Sequence, residues 1–354
     1  MRRILAAPLA AAASLLILAG PALACGGLIG PNGAVNLLRT TTFAGYHDGV
    51  EHYVTAFEFA GGEGEFGSIV PLPDIPSNVE KGGDWTLQRL ILETDPQPAA
   101  FVEEAADSAR GAAEVILEVR IDALDITVLR GGGDEVGTWA ADHGFRLPPD
   151  APEVLDFYAR RSPIFMAAVF DADAARERGQ QIGDGTPVHL TIPTDDPWVP
   201  LRILALGRQP NETVQADVYL LTDAEPNLLP DPTLTNGLDV THSAWANDTL
   251  LTDLRSDKGM EWVPSRGYLT KVEIDSAAPE LTYDLAIDPT GEGTPSAIDA
   301  GLEWPIGHVI STAGRNPLVP LAWLVAAALP VGMAFVTMRR SGRTLPPSSG
   351  AGAA

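Results

Sequence analysis

Residues 114–130 read EVILEVRIDALDITVLR. Val115, Leu117, Val119 and Ile121 alternate with Glu114, Glu118, Arg120 and Asp122, the period-two pattern of a strand with one face buried. The phase then slips, and Leu124, Ile126 and Val128 carry the apolar face onward. A β-bulge or a tight turn near Ala123 accounts for the slip. Working outward, strand patterning recurs at Val35–Phe43, His52–Phe59, Ser68–Pro71, Ile164–Phe170, Val188–Ile192, Leu201–Leu206, Val214–Leu221, Leu269–Ile274 and Leu281–Ile287. Three helical stretches interrupt it. One starts at Asp84, read as an N-cap, with Leu87, Leu90 and Ile91 on one side. A second runs from about Asp134 to His143 and stops at Gly144. The third follows Pro148-Pro149-Asp150, where Asp150 and Glu153 resemble a capping box ahead of Val154, Phe157 and Tyr158. The expected class is α+β, a mostly antiparallel β-sheet domain with a helical hairpin and a few short helices. The hairpin, near residues 131–162, is the candidate internal division.

The two ends of the chain have a different character. Arg2-Arg3, the apolar run from Ile4 to Leu18, and Ala22-Leu23-Ala24 match the three regions of a secretory signal peptide over residues 1–24. Residues 317–338, PLVPLAWLVAAALPVGMAFVTM, supply 22 uncharged positions. At 1.5 Å per residue these reach across a hydrocarbon core of about 30 Å. Arg339, Arg340 and Arg343 follow as a stop-transfer flank, so the positive-inside rule puts the 339–354 tail in the cytoplasm. The expected layout is an extracytoplasmic domain over residues 25–289, a Gly/Pro-containing stalk over 290–316, one transmembrane helix and a short polar tail. The expected address is the cell membrane, single-pass, with the N-terminal domain outside.

The charge balance narrows the partners. The chain has 354 residues and a formal net charge of −24, from 23 Lys+Arg and 47 Asp+Glu. The two ends hold five arginines and no acid, so the middle carries 18 basic against 47 acidic residues, or −29. Such a surface repels phosphate backbones, which excludes nucleic acid as a natural partner, and it repels anionic headgroups. The expected partners are the membrane, through the C-terminal helix, and an envelope protein or cell-wall component. Cys25 is the single cysteine, so no intramolecular disulfide forms.

The blocks CGGLIGPNG, HDGVEHYVTAFEF, FGSIVPLPDIP, TWAADHGFRLPPDAPEVLDFYARRSPIFMAAVFD and GYLTKVEID, in that order and followed by Asp288-Pro289, resemble the bacterial "domain of unknown function 2330" family. The resemblance covers most of residues 25–290. It implies an exported, often membrane-tethered domain without an established activity, and it supplies no catalytic residues. Lys271 stands where an arginine is expected after Tyr-x-Thr.

Several residues could carry chemistry. His47-Asp-Gly-Val-Glu-His52 is the most metal-like cluster, yet its H-x-x-x-E-H spacing is not a zinc motif. Asp48-Gly49 reads as a type I′ hairpin turn with the two histidines on opposite arms, so His47, His52 and Glu51 are weak ligand candidates. Cys25 would be the first residue after signal cleavage, and a terminal thiol beside its own amine can act as a nucleophile. The positions before it, Ala22 and Leu23, fit a lipobox poorly. Arg130-Gly-Gly-Gly-Asp134 falls between strand and helix but lacks the third glycine of a dinucleotide loop and any GK[ST]. Asp231–Asp239 only faintly resembles a calcium loop, with His242 where the bidentate glutamate belongs. Asn211-Glu-Thr213 and Asn247-Asp-Thr249 match the glycosylation sequon. No cofactor is expected. The leading functional expectation is a non-enzymatic envelope binding module, with an exported hydrolase using Cys25, or a metal-binding sensor, as the alternatives.

Overall fold

A computed structural model of the chain describes residues 27–30, 33–35, 39–58, 65–95, 115–179 and 185–302. Cys25, the signal-like segment, the apolar run 317–338 and the tail lie outside them. Among the described residues no helix is long and apolar enough to cross a membrane.

In chain order the elements are β1 (Gly27–Gly30), β2 (Gly33–Val35), β3 (Thr40–His47), β4 (Val50–Glu58), β5 (Glu65–Leu72), β6 (Asn78–Lys81) and α1 (Thr86–Thr94). Next come β7 (Val115–Ile121), β8 (Leu124–Arg130), α2 (Gly133–Asp142), α3 (Ala151–Ala159), β9 (Ile164–Asp171), α4 (Ala172–Glu177) and β10 (Gly185–Pro193). The remainder are β11 (Trp198–Val199), β12 (Thr213–Thr222), β13 (Asn227–Leu229), β14 (Leu238–Trp245), α5 (Asp248–Ser256), β15 (Tyr268–Ala277) and β16 (Leu285–Asp288). They form a six-stranded sheet (β2-β1-β5-β9-β8-β7), a seven-stranded sheet (β14-β15-β12-β3-β4-β10-β6) and a small sheet (β11-β16-β13). The ladders are antiparallel except β12 with β3, so the sheet-rich α+β class holds.

The phase slip in residues 114–130 is a tight turn. Ile121 pairs with Leu124 across Asp122 and Ala123, and Asp122 has a φ of 52°. The helix pair α2 and α3 then links β8 to β9, which are neighbours in one sheet, so the chain does not change sheets at residues 131–162. The folded unit runs on to Gly301, past the 289 boundary read from the sequence. Ala300 is fully buried and its carbonyl accepts the Asp284 N–H at 3.1 Å.

One core is continuous across the six-stranded sheet, the helix pair and one face of the seven-stranded sheet. It joins Ile69, Val128 and Phe165 to Trp139, Leu155 and Tyr158, and to Tyr53, Leu190 and Val218. A second, smaller core covers the other face of the seven-stranded sheet. There Phe43, Val54, Tyr219 and Leu269 lie under Leu87 and Leu90 of α1, Leu250 and Leu254 of α5, and Met260 and Val263. Each large apolar side chain so buried contributes about 1.5–3 kcal/mol.

Three local expectations are corrected. Residues 201–206 were expected as a strand, but Arg202–Ala205 form a 3-10 turn. The reason lies far away in sequence: Asp284 accepts the N–H groups of Leu201 and Arg202, and the Tyr158 hydroxyl accepts that of Ile203. The Asp150–Glu153 capping box does not form. Asp150 accepts the Gly207 N–H at 2.9 Å, and Glu153 pairs with Arg202 at 2.5 Å. Asp84 does not cap α1; the distant carboxylate of Asp257 instead accepts the N–H groups of Asp84 and Trp85 and the Thr86 hydroxyl.

Candidate functional site

Cross-strand registers build the site on the seven-stranded sheet. Directly opposed residues share a face, so Lys271, Tyr219, Phe43, Val54, His189 and Glu80 form one row across β15, β12, β3, β4, β10 and β6. The adjacent row on that face is Leu269, Leu221, Gly45, His52, Thr191 and Asn78. Gly45 leaves a gap in the second row, and Trp262 fills it. The indole stacks on the His52 ring with centroids 3.8 Å apart and planes 2° from parallel.

The gap is obligatory, because a Cβ at position 45 would come within 2.1 Å of the Trp262 ring. Gly45→Ala is therefore expected to destabilise the protein by about 1–3 kcal/mol through overpacking. A thermal melt checks this, and an unchanged transition would show that Trp262 does not sit there.

His52 Nδ1 lies 3.0 Å from His189 Nε2, so one ring donates and the other accepts. His189 is buried, and its Nδ1 faces Glu80 Oε1 at 3.5 Å, too long for a hydrogen bond. Burial pushes the His189 imidazole down to about 4. Burial, reinforced by His189 and His47, pushes His52 down to about 3. Both rings are therefore neutral at pH 7. A carboxylate and two imidazoles in line could pass a proton, but the pair lies beneath Trp262.

The hairpin turn is as the sequence indicated, with Asp48 and Gly49 at φ values of 51° and 78°, the type I′ conformation. The proposed ligands are not brought together. His47 Nδ1 contacts Asp223 Oδ1 at 2.8 Å and His52 contacts His189. Glu51, opposite Tyr46 in the register, points to the other face of the sheet. Among the described residues no group of three or more His, Cys, Asp or Glu is arranged to hold a metal ion. Glu51 has a different distinction: it is 1% exposed and neither carboxylate oxygen has a hydrogen-bond partner. Burial raises the Glu51 carboxyl to about 8, an effect the Trp198 backbone amide offsets only in part.

The glycine loop before α2 is a helix entry, with the Glu135 carboxylate accepting the Gly132 N–H at 2.7 Å. That carboxylate occupies the place a phosphate would take. Asp231 accepts the Thr233 N–H and hydroxyl, which makes its loop a capped 3-10 turn.

Sequence reasoning missed three features. The first is His189 itself, which lies 137 residues from His52. The second is a buried knot around the fully buried Asp284, which accepts from Tyr158 Oη at 2.8 Å, Leu201 N at 2.7 Å and Arg202 N at 3.0 Å, and also pairs with Arg161. The Arg161 guanidinium also lies over Phe157, Tyr158 and Trp198. The third is β14, which pairs with β15 alone among the described strands and is the end of its sheet. Val240 and Trp245 on it are 42% and 45% exposed.

A family model described as an uncharacterised protein conserved in bacteria, domain of unknown function 2330, matches residues 20–287. That span takes in the sequence blocks from CGGLIGPNG to GYLTKVEID. No curated protein matches the chain. Among solved structures, baculovirus P35 aligns at 9% identity and a TM-score of 0.38, over 71% of this chain and 96% of that one. A chain of the caspase-8/P35 complex structure aligns at 8% and 0.37, over 70% and 95%. Scores at this level establish no shared function.

Proposed function

The chain belongs to the bacterial family of uncharacterised proteins called domain of unknown function 2330, and from that premise we propose an exported, membrane-tethered module that binds a partner rather than turning over a substrate. The observation that carries the binding half is how the densest polar clusters are used. The His52–His189 pair is stacked beneath Trp262, and the Asp284 knot holds α3, the 3-10 turn and β16 together. Both read as structure. The export half is supported by Arg2-Arg3 with the following apolar run, and by residues 317–338 with their arginine flank.

N-terminal sequencing and intact-mass analysis of the protein recovered from the membrane fraction test this reading. A mature chain beginning at or beyond Cys25, still carrying residues 317–354, is the expected result. A full-length N-terminus in the soluble fraction would overturn the export half. A free terminal Cys25 that reacts selectively with an amide-hydrolase probe would overturn the binding half and favour the exported hydrolase.

A further inference from the structure

We propose that the outer edge of β14 accepts an extended cationic polypeptide segment as an added strand, its side chains alternating between basic and apolar. This deepens the binding reading above and rests on it. β14 ends the seven-stranded sheet and, among the described residues, has a ladder on one side only. Its backbone groups on the other side are those that β-strand addition uses.

The two faces of this edge differ in a way that specifies the occupant. Asp239 opposes Glu273 on β15, and Asp275 lies two residues further along the same face. The basic groups nearby are already engaged. Lys271 is held by Glu273 at 2.6 Å and Asp217 at 3.4 Å, and Arg39 by Asp217 at 2.5 Å. Acid therefore prevails on that face. On the opposite face Val240 pairs with Val272 and Trp245 with Tyr268, leaving two half-exposed apolar side chains at the edge, with the Arg266 guanidinium over the indole at 3.8 Å. An incoming strand would meet carboxylates on one side and a valine and an indole on the other, and strand side chains alternate with period two. A register shift between Val240 and His242 adds a bulge to the edge. Bulges discourage indiscriminate pairing, so a matching charge pattern is what would select the partner. A second copy of this chain offers the wrong sign, since each carries −24.

The test uses the full chain in neutral detergent and a labelled alternating Lys-Val nonapeptide, read by fluorescence anisotropy. Saturable binding is expected, weakened about tenfold or more by Asp239→Lys, by a Glu-Val peptide of equal length, or by elevated salt. N-methylation of alternate peptide nitrogens, tried in both phases, is expected to abolish binding in one phase by removing ladder donors without altering charge. Equal binding by both methylated peptides would mean charge attraction without strand addition and would overturn the proposal. So would no binding, or sedimentation showing that copies of the chain already occupy the edge. A chain that fails this test while its Cys25 stays unreactive toward the amide-hydrolase probe loses the strand-addition inference alone, whereas a chain whose terminal Cys25 reacts selectively loses the binding reading on which the inference rests.

Discussion

Asp284→Ala is expected to cost about 3–5 kcal/mol of stability, the range for removing one partner from a buried ionic hydrogen-bond network. The carboxylate is 0% exposed and takes hydrogen bonds from Leu201, Arg202 and Tyr158 in addition to Arg161. Its removal leaves the Arg161 guanidinium without its counter-charge, held only by the Asp299 carbonyl and its ring contacts, and two backbone N–H groups unpaired. Because those N–H groups open the Arg202–Ala205 turn, amide exchange there is expected to accelerate more than in β12. Glu153→Gln makes the contrast. Its pairing with Arg202 sits at the surface, with the glutamate side chain 76% exposed, so its loss is expected to cost at most about 1 kcal/mol. Urea unfolding of the two variants checks both. Equal, small losses would mean that the knot is not a structural centre.

The second large effect is on pH dependence. Glu51 keeps its proton in the folded chain up to about pH 8, against 4.5 for the ordinary carboxyl. Between those values the folded state holds the extra proton, so stability falls as pH rises and the loss is complete above about pH 8. At full ionisation the penalty is on the order of 5 kcal/mol. Glu51→Gln keeps the size and removes the charge, so it is expected to leave stability at pH 4 nearly unchanged and to raise it markedly at pH 9.

The histidines act in the opposite sense. His52 and His189 are lowered to about 3 and 4 from 6.5. The unfolded chain therefore binds the extra protons, and stability falls as pH drops from about 6.5 toward 3. The two slopes cancel near about pH 6.5, where stability is expected to peak. Melting temperatures of wild type and Glu51→Gln across pH 4–9 decide the matter, since an unaltered alkaline limb would place the Glu51 carboxylate in contact with water.

Much of the fold was legible because the alternation is local. Val115–Ile121 and Leu124–Arg130 announce a strand pair, and the stretch Pro148–Tyr158 announces a helix. Asp48-Gly49 named its own turn type. What escaped was set by distant partners. Leu201–Leu206 alternates like a strand, yet Asp284 and Tyr158 take its first N–H groups and curl it into a 3-10 turn. Helix α5 was passed over because Asn247-Asp-Thr249 was read only as a sequon. A helix signal was there: Asn247 caps the Leu250 N–H at 2.8 Å, and Leu250, Leu251 and Leu254 share the buried side.

The metal-like reading of residues 47–52 joined Glu51 to the histidines although adjacent strand residues point to opposite faces. Period two alone separates Glu51 from His52. The His52–His189 contact was beyond local reading, since nothing near His52 indicates that β10 pairs with β4. The edge character of β14 is a property of the sheet order, which no stretch of LDVTHSAW contains.

Sidedness in the membrane tests the central claim most directly. In a Cys25→Ser background, single cysteines are placed at exposed Glu177 and at tail residue Ser348, and intact spheroplasts are treated with a membrane-impermeant maleimide. Labelling of the Glu177→Cys chain before lysis, with Ser348→Cys labelled only after lysis, is the predicted result. Labelling of the Ser348→Cys chain before lysis, or protection of both until lysis, would contradict an acidic domain outside the membrane tethered by residues 317–338.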